Sequence, residues 1–100
     1  MKNKELNKIK DDENFIYNKF GYCYYVWDKI NPAIIYNLFI YQEFRHKGNA
    51  RKILQLVINE IRLLGYEGNI NIEAKPKEKF IDKKQLIKFY EKMGLNVINK

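Results

Sequence analysis

Glu43-Phe44-Arg45-His46-Lys47-Gly48-Asn49-Ala50-Arg51-Lys52 (EFRHKGNARK) joins an apolar run, Ala33 to Tyr41, to a segment with helical periodicity. The run is rich in β-branched and aromatic residues and reads as a strand. Beyond the turn, Ala50, Ile53, Leu54, Val57, Ile61 and Leu64 form one stripe of a helix that Gly65 ends. A strand that passes through a glycine-centred basic turn into a helix is half of a strand-helix-strand unit, so the chain reads as mixed α/β.

Working outward, Phe15-Ile16-Tyr17 and Tyr22-Cys23-Tyr24-Tyr25-Val26-Trp27 are two further aromatic runs, separated by Gly21 and followed by Asn31-Pro32. With Ala33 to Tyr41 they predict three sequential antiparallel strands. Ile70 to Ala74 alternates with period two and is stopped by Pro76. Asp82, with Gln85 three residues on, signals the start of a second helix that carries Leu86, Phe89, Tyr90 and Met93 on one side and ends at Gly94. Leu95 to Ile98 predicts a last short strand. The expected fold is an α+β mixed sheet of order β-β-β-α-β-α-β, an antiparallel meander followed by a strand-helix-strand unit.

One hundred residues give room for one domain, 1–100. Residues 1–14 are polar apart from Leu6 and Ile9; they read as an arm, a short helix or a weak edge strand, with no functional assignment. The start has no apolar leader, and the longest apolar segment is too short to cross a membrane, so a soluble cytoplasmic protein is expected. Cys23, the single cysteine, cannot form an internal disulfide and reads as a small buried hydrophobe.

The net charge of +7 favours anionic partners without choosing among nucleic acid, an acidic protein and a phosphorylated cofactor. Lys77, Lys79, Lys83, Lys84 and Lys88 are read as solvated positions. The turn is more specific. A helix start leaves backbone N–H groups unpartnered at the positive end of the helix dipole; Gly48 permits positive φ, Ala50 is small, and Arg45, Lys47, Arg51 and Lys52 add charge. The combination suits a pyrophosphate, although an ordinary strand-to-helix turn also favours Gly and Asn. The Gly-Lys-Ser/Thr pattern of a P-loop and the three-glycine dinucleotide fingerprint are both missing.

Arg45-His46-Lys47-Gly48-Asn49-Ala50 fits Arg/Gln-x-x-Gly-x-Gly/Ala and so resembles the GNAT-type N-acetyltransferase superfamily. Leu38 to Phe44 looks like that family's fourth strand and its exit. Leu86-Ile87-Lys88-Phe89-Tyr90-Glu91-Lys92-Met93-Gly94-Leu95 resembles its late helix end, and the likeness runs from about Gly21 to Lys100. It implies that acetyl-CoA is the acyl donor, that backbone groups of Leu38, Phe39 and Ile40 pair with its pantetheine arm, and that Arg45 and the amides of His46, Lys47, Gly48, Asn49, Ala50 and Arg51 hold its pyrophosphate.

The resemblance further implies direct attack of a primary amine on the thioester in a ternary complex, with Tyr90 as general acid toward the sulfur. Tyr90 is equally explicable as a core aromatic beside Phe89. Glu73 is the candidate base, with an ordinary solvent-facing carboxylate as the plainer reading; His46, the only histidine, falls in the phosphate loop, and no metal is expected. Lys83 stands where the family often has Asn, Leu95 where it has Phe, and the chain is short of the early helices that often wall the acceptor side. That side is then open, completed by a second subunit, or nonfunctional.

Two rival readings remain. One is a CoA-binding module without turnover. The other is a small basic nucleic-acid binder using Tyr22, Tyr24 or Trp27 as stacking platforms. Core and sheet packing is the preferred reading of those aromatics, which places nucleic acid behind acetyl-CoA and an unidentified amine acceptor as partners. Uncovered sheet edges leave room for a homodimer.

Overall fold

The computed structural model describes residues 6–8, 13–76 and 81–100. Lys77, Lys79 and most of the polar arm lie outside these residues. Among the described residues six strands form one sheet in sequential order: β1 (Leu6–Lys8), β2 (Glu13–Asn18), β3 (Gly21–Val26), β4 (Ile34–Ile40), β5 (Asn71–Ile72) and β6 (Asn96–Val97). β1 to β4 are antiparallel neighbours, whereas β5 and β6 join in parallel. The mixed sheet agrees with the sequence. It has one strand more than expected, because Leu6 pairs opposite Ile16 and realises the weak-edge-strand reading of the arm.

Short turns set the meander. Asn18 accepts the Phe20 N–H at 2.8 Å in the β2–β3 turn, and Asp28 accepts the Ile30 and Asn31 N–H groups between β3 and β4. At Gly21 a Cβ would collide with the Phe39 carbonyl oxygen, so only glycine lets β3 and β4 approach there.

Two helices follow. α1 (Asn49–Leu63) and α2 (Lys83–Lys92) both close in the same way. Gly65 donates to Arg62 O and Tyr66 to Ile61 O, while Gly94 donates to Glu91 O and Leu95 to Tyr90 O. This is the paired closure that a left-handed glycine after a helix permits, and Gly65 and Gly94 have φ of 106° and 87°. Asp82 caps α2 by accepting the Lys84 N–H at 2.8 Å. Leu64, expected on the buried stripe of α1, lies past the last helical turn and is exposed.

The crossovers β4–α1–β5 and β5–α2–β6 step along the sheet in one direction, which places both helices on one face. That face holds the core: Cys23, Tyr25 and Ile35 pack with Ile53, Leu54 and Val57 of α1 and with Tyr90 of α2. Neither helix is long and apolar enough to cross a membrane.

The other face is different in kind. Phe15, Tyr17, Tyr22, Tyr24, Tyr36 and Phe39 stand on it half-buried and outside the core cluster. Alternation explains this, since Cys23 and Tyr25 point to the helices while Tyr22 and Tyr24 between them point away. Of the expected core and sheet packing, Tyr22 and Tyr24 thus take the sheet half, against neighbouring rings, and not the core, whereas Trp27 does pack on the core, next to Tyr66.

Candidate functional site

β4 does not run straight. Asn37 has a φ of 57°, and the pairing with β3 slips between Tyr22 and Tyr24, so β4 carries a bulge at the middle of its length. β4 and β5 pair only at Ile34–Asn71 and Ile35–Ile72, and beyond Ile35 no strand pairs with β4 on that side among the described residues. The strands part there and leave a cavity of about 350 Å³ lined by Tyr36, Asn37, Leu38, Glu73, Lys75 and Tyr90.

A second, larger cleft of about 500 Å³ opens between the turn into α1 and the first two turns of α2. Gly48, Ala50 and Arg51 form one side, Gln85, Leu86 and Phe89 the other. Leu38, Lys75 and Tyr90 line both cavities, so the two meet at Tyr90.

The turn is built to keep its amides available. Gly48, at φ 83°, is the N-cap of α1 and has no side chain to bond the first amides; the first turn of α1 contains no acidic residue. The Asn49 side chain is buried and donates to the Phe44 carbonyl at 2.9 Å, closing the loop on its inner side. Its contribution to a ligand is thus limited to its backbone N–H. Arg45 donates from Nε to the Ile40 carbonyl at 2.7 Å, which ties the loop to the end of β4.

Charge around the larger cleft is one-sided. Arg45, Arg51 and Lys75 line it, with no carboxylate among the described residues of its lining. Lys47 turns back to the Glu43 carbonyl at 3.2 Å and does not line the cleft. Phe39 is likewise absent from it: its ring lies on the aromatic face under the Arg45 guanidinium, 5.0 Å away. Leu38 and Ile40, its neighbours, do line the cleft.

Tyr90 is fixed from two directions. The residue is 5% exposed in the core, and its carbonyl accepts the Leu95 N–H at 3.1 Å in the Gly94 closure. Burial, with a smaller contribution from nearby Cys23, pushes its phenol up to about 12. The group is therefore a neutral hydroxyl at physiological pH. Burial also pushes the Cys23 thiol up to about 12, which removes it as a nucleophile.

Glu73 lies just past β5 rather than on it, half-exposed in the smaller cavity, and pairs with Lys75 at 2.9 Å. The structure thus brings Tyr90 and Glu73 to one cavity and Gly48, Ala50 and Arg51 to the adjoining cleft. Sequence reasoning missed Lys75, Gln85 and Asn37. The break that Asn37 makes in an apolar strand was the one available signal; Lys75 and Gln85 reach the cavities only through the approach of α2 to β4. Among the described residues no group of His, Cys, Asp and Glu side chains could hold a metal ion.

No protein-family model matches this chain, and no curated protein matches it in sequence.

Proposed function

We propose that the chain is a GNAT-like N-acetyltransferase that moves an acetyl group from acetyl-CoA to a primary amine. The observation that carries this reading is the meeting of two cavities at Tyr90, one walled by cations and helix-start amides, the other containing a carboxylate. The donor's chemistry fits the larger cleft. The amides of Asn49, Ala50 and Arg51 with the Arg51 guanidinium suit a pyrophosphate. The backbone of β4 beyond Ile35 suits an amide-bearing arm that needs extended hydrogen-bonding partners.

At the junction, Tyr90 donates a hydrogen bond to the sulfur as the carbon–sulfur bond breaks and the carbon–nitrogen bond forms, and the CoA sulfur leaves as thiolate. Glu73 takes the amine's proton directly or through water. A donor whose acidity is weakened by burial stays protonated as the sulfur develops charge, when a hydrogen bond to it strengthens. The lone cysteine, with no internal partner, supports a reducing cytoplasm.

The Glu73–Lys75 ion pair at 2.9 Å favours one alternative, a CoA-binding module without turnover, because the carboxylate oxygen is engaged by an ammonium and must leave it to reach an amine. Measuring thiol release from acetyl-CoA against a panel of amines separates the two. Amine-dependent release that falls about 10²- to 10⁴-fold in Tyr90→Phe, with acetyl-CoA affinity retained, supports the enzyme. Binding with no release for any amine supports the module.

A further inference from the structure

We propose that the face of the sheet turned away from α1 and α2 is a platform for single-stranded nucleic acid, distinct from the larger cleft and reaching the margin of the smaller cavity at Tyr36. Its rings form a connected lattice across β2, β3 and β4. Phe15 lies 4.7 Å from Tyr24 and 5.6 Å from Tyr22, Tyr22 lies 5.5 Å from Phe39, and Tyr24 lies 5.6 Å from Tyr36, all as ring centroids. These rings do not belong to the core, and both helices lie on the opposite side. A half-exposed aromatic presents a flat surface on which any base can stack, and successive rings on neighbouring strands accept successive bases.

Charge selects the occupant. The Arg45 guanidinium lies over the Phe39 ring at 5.0 Å, and Lys19 stands in the β2–β3 turn at the same end of the sheet. Lys29 lies in the connection at the other end. The three strands contain one acidic residue, Glu13, whose register opposite Val26 puts it at the end away from Arg45 and Lys19. Cations at the margins of an aromatic surface suit phosphates flanking stacked bases, on a chain whose net charge is +7. A second copy seated on the same face would bring two chains of that charge together, with Arg45 and Lys19 of both at the contact.

The test is fluorescence anisotropy of a labelled oligo(dT) or oligo(U) with the full chain over a salt series. Saturable binding is expected, with log affinity falling against log salt at a slope of about −2 for three neutralised phosphates. Replacing Tyr22 and Tyr24 together by Leu should weaken binding about tenfold or more, and replacing both by Phe should preserve it, because stacking needs the ring and not the hydroxyl. Thermal melts establish that both variants fold, and Tyr24→Leu alone gives the same comparison should the double variant fail to fold. Excess acetyl-CoA should leave the complex intact. Absence of binding at low salt, equal affinity of the Leu and Phe variants, or displacement by acetyl-CoA would each overturn the proposal. So would a dimer in sedimentation that the Leu substitutions disperse.

Discussion

Asn49 donates its side-chain amide to the Phe44 carbonyl over 2.9 Å, across the base of the loop that carries Gly48. Asn49 is buried, at 6% exposure. The loop is thereby held shut by its own residues while its amides are left for the cleft. An asparagine that reads as part of a ligand-binding turn acts first as that turn's clamp.

Asn49→Ala should therefore cost stability as well as affinity. It leaves the partly buried Phe44 carbonyl without its donor, at about 1 to 3 kcal/mol. Asn49→Asp, which cannot donate, should lose at least as much. Urea melts of the two variants check this; wild-type stability in both would show that the clamp contributes nothing.

Gly48 sits at φ 83°, where a side chain is strained, yet a Cβ there would meet no atom within 4 Å. Gly48→Val is expected to lose about 1 to 3 kcal/mol through backbone strain alone. Gly48→Asn, which tolerates the left-handed region, should lose less. Both place a side chain on the open side of the loop, so acetyl-CoA affinity should fall in Gly48→Asn even where stability is nearly kept, as calorimetry alongside melts would reveal.

Alkaline pH should destabilise the fold. The Cys23 thiol and the Tyr90 phenol are both pushed up to about 12 by burial, and the Tyr25 phenol is raised as well. The folded chain keeps these protons while the unfolded chain releases them. Stability is thus fully present below the ordinary thiol value and is lost as pH rises from there toward about 12. The slope should be about 1.4 kcal/mol per pH unit for Cys23, with each tyrosine adding a similar amount past its ordinary value. Urea melts between neutral and strongly alkaline pH should show this loss, and Cys23→Ala should flatten its first part.

Tyr25 is fully buried, and its hydroxyl has no hydrogen-bond partner among the described residues. Removing the hydroxyl removes a buried polar group without opening a large cavity. Tyr25→Phe is expected to melt at the wild-type temperature or above it. A markedly lower melting temperature would mean that the hydroxyl is satisfied in solution.

The local punctuation of the fold was legible because each signal acts within a few residues. Gly48, Gly65 and Gly94 each mark a positive-φ position, and Asp82 caps α2. What the chain does across longer distances was not. In Tyr22 to Val26 nearly every residue is apolar or aromatic, so alternation identifies two faces without saying which one the helices cover. That depends on both crossovers stepping the same way. The short register of β5 was hidden for a similar reason: Ile70 to Ala74 alternates throughout, but the bulge at Asn37 turns β4 aside after Ile35 and ends the pairing. The cavity containing Glu73 and Tyr90 exists because of that divergence.

Calorimetric titration of the purified chain with acetyl-CoA at physiological salt, with dephospho-CoA for comparison, tests the central claim most directly. Saturable one-to-one binding in the micromolar range that weakens in Gly48→Asn is expected. A folded chain that takes up no acetyl-CoA would contradict the claim.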